Sequence, residues 1–194
     1  MYKRQLLLTL GLGTALTPLV AFGAAAVAAG IVCFLVQVRR IWIRRTKRRG
    51  DAAWHLTFAS FCHLGVVALL GLAVAFADVD AEVRDRLTLA YGLLALPGFV
   101  GSVVVGQLYK ILPFLVWLHR FAPYVGLKRV PSASEILPER PRRLQGALMQ
   151  IGLAILAIGI VAGPAPLRIA GAVLFAASAI YAAHNFATIL RSQP

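Results

Sequence analysis

Five apolar stretches, each long enough to cross a hydrocarbon core, alternate with short charged links, and this alternation leaves the chain little choice of fold. A bilayer core needs about 20 apolar residues in a helix. The stretches lie at residues 15–38 (inside a longer apolar run that starts at Leu6), 56–77, 87–109, 144–161 and 168–190. No alternation of period two competes with them, and in lipid a helix satisfies its own backbone. The expected fold is therefore all-α, an integral membrane helical bundle of about five transmembrane helices in a single domain, 1–194. With 60% of the 194 residues apolar, the lipid bilayer has to serve as solvent. The N-terminal apolar run exceeds a signal-peptide core and precedes no convincing cleavage site, so it reads as a retained span.

The charge pattern orients the bundle. Lys and Arg outnumber Asp and Glu by 20 to 7. Arg39, Arg40, Arg44, Arg45, Lys47, Arg48 and Arg49 crowd the link between spans one and two. Lys110, Arg120, Lys128, Arg129, Arg140, Arg142 and Arg143 occupy the link between spans three and four. Between spans two and three the sign reverses, with Asp78, Asp80, Glu82 and Asp85 against Arg84 and Arg86. Basic links face the cytoplasm, so the N-terminus is expected outside and the C-terminus inside. Nucleic-acid binding is not expected, because no soluble fold carries a basic face to present.

After span three, residues 111–121 are apolar and aromatic and contain Pro113, which should kink or end the helix. Trp117, His119, Arg120 and Tyr124 suit headgroup depth, and an interfacial helix is the first expectation, with a straight continuation of span three as its alternative. The following link, 123–143, carries Pro131, Pro138 and Pro141 and reads as stiff and extended.

Small residues recur every four positions at Gly98, Ser102 and Gly106, giving span three a face for close helix packing, either inside the bundle or against a second copy. Gly23 and Gly30, with five alanines between them, smooth span one. Cys33 and Cys62 sit in apolar stretches and read as small hydrophobes.

Polar residues inside spans need a reason. Counted from the basic ends of their spans, His63 and His184 fall at similar depth, roughly 10 Å inside. Gln150 lands in that layer and Gln107 a little shallower. Two readings stay open. The four residues hydrogen-bond within the bundle, or His63 and His184 are the axial ligands of a haem b. Copper would want three imidazoles or added thiolates, and His55 and His119 lie near the interface. No catalytic set and no other metal site is apparent: the acids are confined to links, and there is no Ser–His–Asp arrangement or phosphate-cradling glycine loop.

Residues 106–121, Gly-Gln-Leu-Tyr-Lys-Ile-Leu-Pro-Phe-Leu-Val-Trp-Leu-His-Arg-Phe, resemble part of the C-terminal region of bacterial multi-pass proteins of the cytochrome c oxidase subunit I-like kind. The resemblance covers roughly 49–190. It implies a bacterial cytoplasmic (inner) membrane location and a respiratory or nitrogen-oxide setting. It does not extend to catalysis, since a haem–copper catalytic subunit has about a dozen spans and a larger histidine set. The expected function is a non-catalytic subunit or accessory protein that meets other membrane subunits. A small transporter or channel, and a ligand-free scaffold, are the alternatives.

Overall fold

The computed structural model describes residues 17–44 and 52–193. Five helical elements are long and apolar enough to cross a membrane. α1 is Thr17–Arg44 and α2 is Ala52–Phe76. The third element is a single rod, Ala81–Tyr124, built from α3 (Ala81–Leu93), a π-helical segment (Leu94–Gly101), α4 (Ser102–Val116) and a short π turn and 3₁₀ turn. α5 is Glu139–Ala162 and α6 is Ala165–Arg191.

The helices alternate in direction, which sorts the links to two ends. Trp42 meets Trp54 where α1 hands over to α2, and Arg120 reaches the Ser192 carbonyl at 2.7 Å. Both contacts lie at the basic end. At the acidic end the Arg84 guanidinium donates to the Val74 and Ala77 carbonyls, 3.1 Å each, closing the open C-terminus of α2. Gly163 takes φ 96° to end α5, and Arg86 lies over it so closely that any side chain there would collide with the guanidinium.

Much of what is buried is small or polar, beside a core that includes Leu56, Tyr109, Met149, Leu153 and Ile189, and many of the exposed residues are large and apolar. Ser60, Ser102, Ser178, Gln145 and Asn185 are buried, whereas Leu69, Leu96, Ile169, Val173 and Ile180 lie open on the outer surface. Lipid tails are as apolar as leucine, so nothing drives leucines inward there; close packing and hydrogen bonds hold the helices instead. This inverted distribution, with the span lengths, makes the chain a multi-pass membrane bundle.

The tightest contact is the α5–α6 hairpin. Its α5 seam includes Gln145, Gly152 and Gly159; on α6 the buried stripe is Gly171, Ser178, Ala182, Asn185 and Ile189. Spacings of three, four and seven keep such residues on one stripe. A Cβ added to Gly171 would stand 2.4 Å from the Leu156 amide nitrogen, and one on Gly152 2.6 Å from that of Phe175. The Gly98–Ser102–Gly106 face also packs, and it packs inward on α2: a Cβ on Gly106 would meet the Ala53 carbonyl oxygen at 3.1 Å and Thr57 Oγ1 at 3.2 Å.

Two expectations change. Pro113 does not end the helix, and 111–121 continues the third rod rather than forming a separate interfacial helix. Tyr109, Pro113, Val116 and Phe121 are all buried, so packing holds the rod's course across the lost amide. At 44 residues the rod is roughly 65 Å long, far beyond a bilayer core of about 30 Å. The link is also shorter and less extended than 123–143. It turns at Gly126 (φ 87°), turns again where Glu135 N–H donates to the Ser132 carbonyl, buries Leu137, and has become α5 by Glu139. Cys33 and Cys62 are free thiols on the exposed surface.

Candidate functional site

The polar interior is a ladder along the third rod. Its highest rung is made by a proline. Pro97 has no amide to offer the Leu93 carbonyl, and the π-helical register over Leu94–Gly101 brings the next amide within reach of it. Widening the turn presents the Gly98 carbonyl sideways, and His63 Nδ1 lies 3.0 Å from it. A carbonyl only accepts, so Nδ1 carries a proton, and in the neutral ring Nε2 keeps the lone pair. Glycine leaves room for the ring here: a Cβ would stand 3.3 Å from the imidazole and press on it.

One turn toward the basic end, Gln150 Nε2 donates to Ser102 Oγ at 2.9 Å, joining α5 to the rod. Thr57 turns its hydroxyl back to the Ala53 carbonyl at 3.0 Å beside Gly106. Lower still, Asn185 Nδ2 donates to the Tyr109 hydroxyl at 2.9 Å and reaches the Pro141 carbonyl at 3.4 Å. Gln145 adjoins this rung with long contacts to the Ser178 carbonyl (3.5 Å) and Met149 Sδ (3.9 Å), and its Oε1 has no partner. Gln107 is half-buried between the Ser102 and Tyr109 rungs.

The structure therefore does not bring His63 and His184 together. His63 is level with Gly98. His184 precedes Asn185, which is level with Tyr109, eleven residues further down the same rod. That separates the two imidazoles by roughly 15 Å along the bundle axis. Ligation by both would hold their nitrogens about 4 Å apart across one iron. Their helices, α2 and α6, are not packed neighbours, and His184 lies exposed, stacked on Tyr181 at 6.3 Å. The equal depth inferred from span ends fails because α2 begins at Ala52, which puts His63 near the middle of its helix.

The residues that sequence reasoning passed over are Tyr109, Arg142, Gln145 and Asn185. For Gln145 and Asn185 the signal was present as the three-, four- and seven-residue spacings on spans four and five. His184 drew attention as a histidine, but the adjacent Asn185 faces inward, about 100° further round the helix. Among the described residues no group of three or more His, Cys, Asp or Glu is placed to hold a metal ion. His55 and His119 are exposed near the basic end, as expected.

Comparison with protein-family models, with curated proteins and with solved structures finds no match.

Proposed function

We propose that this chain is a non-catalytic multi-pass subunit or accessory protein of a larger membrane assembly, in the respiratory, oxidase-like setting that the resemblance over 106–121 implies. One observation carries the reading. Among the described residues α1 packs chiefly on α2, and the pair leaves a mostly apolar groove of about 560 Å³ lined by Leu35, Val38, Trp42, Phe58, Phe61 and Gly65, with Arg39 at its edge. A helix held chiefly by one neighbour among the described residues, beside an open groove, suits lateral contact with another membrane protein. Most of the polar interior is meanwhile spent on contacts between and within helices. Any haem in such an assembly is assigned to the partner rather than to His63 and His184.

A photo-crosslinker at Phe58, which lines the groove, should trap one discrete membrane partner in native membranes, and the same probe at outward Ile169 should not. The co-purified assembly should show a reduced-minus-oxidised haem spectrum. Equal crosslinking from both positions would remove the docking claim, and a spectrally silent assembly would remove the respiratory one.

The orientation belongs to the same proposal: bacterial cytoplasmic membrane, N-terminus outside, C-terminus inside. In a cysteine-free background, Asp80→Cys should react with an impermeant thiol reagent in intact cells and Gln193→Cys should not. The reverse pattern inverts the bundle.

A second reading, a small transporter or channel, is favoured by the π-helical break at Pro97–Gly98. Broken helices and π segments recur at transport sites, and His63 sits on this one near mid-span. Dissipation of a pH gradient in proteoliposomes that is lost in His63→Ala would establish it.

A further inference from the structure

At the basic end, α2 and α5 diverge to leave a cleft of about 300 Å³. Its floor is Leu56, Gly146 and Ala147, and its rim carries His55, Arg142 and Arg143. Arg142 is the unusual member. It is 8% exposed, and its one hydrogen bond among the described residues is a 3.4 Å contact from Nε to the Pro138 carbonyl. It makes no ion pair among them, whereas Arg143 is held by Glu139 at 2.8 Å. A mostly buried arginine whose terminal nitrogens open into the cleft with no partner among the described residues is placed to bind an anion there.

The position of the cleft selects the anion. His55 and Arg142 each lie three residues inside their helix, about 4–5 Å from its end, at headgroup depth. Below them the floor is apolar except for Gln150, whose amide is bonded to Ser102, and Phe58, Leu144 and Ile151 lie exposed nearby on α2 and α5. A small free anion would use the rim and leave the floor empty. A molecule with a phosphate above and acyl chains below would use both.

We infer that the α2–α5 cleft binds an anionic phospholipid, with Arg142 donating to its phosphate, His55 and Arg143 beside it, and an acyl chain over Leu56 and Ala147. Basic recesses between helices at a membrane's charged face are suited to such headgroups.

The test uses the purified full chain in detergent, with bound lipid counted by native mass spectrometry and thermal stability read alongside. Phosphatidylglycerol should bind and stabilise the wild type, and phosphatidylcholine should do so much less. Arg142→Gln should weaken phosphatidylglycerol binding about fivefold, the scale of one basic residue at an anionic surface. Arg129→Gln, an exposed charge outside the cleft, should change it little. Because Arg142→Gln alters a buried site, Ala147→Phe supplies an independent arm: Ala147 is exposed, so the ring fills the cleft without removing a charge, and it too should displace the lipid. Equal lipid retention in wild type, Arg142→Gln and Ala147→Phe would overturn the inference. So would stabilisation by inorganic phosphate with none by phosphatidylglycerol.

Discussion

The α5–α6 hairpin and α1 are apolar helices of similar length, yet they are held in place by different means. In the hairpin, Gly152, Gly159 and Gly171 let two backbones touch, and Gln145, Ser178 and Asn185 add polar contacts inside the seam. Among the described residues α1 approaches chiefly α2, with aromatic contacts between Phe34 and Phe61 (5.6 Å) and between Trp42 and Phe58 (5.1 Å), beside an open groove. Glycines on the hairpin have backbone for a neighbour, while Gly65 of α2 meets only the tip of Leu35, at 3.6 Å. In lipid, where burying leucine gains little, stability follows how closely backbones can approach. The hairpin and third rod thus form the rigid part of the bundle, and α1 is the part left for another contact.

The largest effect is expected at Gly171. Leucine there would drive Leu156 and its backbone apart, costing about 3 kcal/mol or more, and the protein should not survive extraction in a folded, monodisperse state on size exclusion. Normal elution and melting of Gly171→Leu would erase the distinction between the two regions.

Next is Gly106→Leu, which must displace Ala53, Leu56 and Thr57. A loss of about 2 kcal/mol is expected by thermal unfolding in detergent. Val104→Leu is the control, since Val104 is exposed, and it should stay within about 0.5 kcal/mol of wild type. Equal melting of the two variants would mean that this face does not pack.

Asn185→Leu leaves the Tyr109 hydroxyl buried without its partner and should cost about 1–2 kcal/mol. Combined with Tyr109→Phe in a double-mutant cycle, the coupling should be about 0.6 kcal/mol, the usual size for hydrogen bonds between membrane helices. Zero coupling would separate the two groups in solution.

The smallest effect is expected at α1. Phe34→Ala removes one edge-on aromatic pair and should lower stability by about 1 kcal/mol or less. The fluorescence melt reporting the rest of the bundle should be unchanged. A global shift as large as that of Gly106→Leu would make α1 part of the rigid core.

The sequence by itself determined the number of spanning helices, their alternation between a basic and an acidic end, and the close-packing face on span three. These follow from composition over long windows and from the period of a helix, and neither depends on which neighbour a helix meets. Rotation and depth were decided only in the tertiary structure. A one-residue change of phase moves a side chain by about 100°, which is why His184 faces outward and Asn185 inward. A shift in where α2 begins moved His63 to mid-helix and out of the layer it seemed to share with His184. Pro97 and Pro113 look alike as helix breakers, yet the first is absorbed by a π turn and the second by burial among Tyr109, Val116 and Phe121. Propensity sets the cost of a proline, and the packing around it decides whether the helix continues.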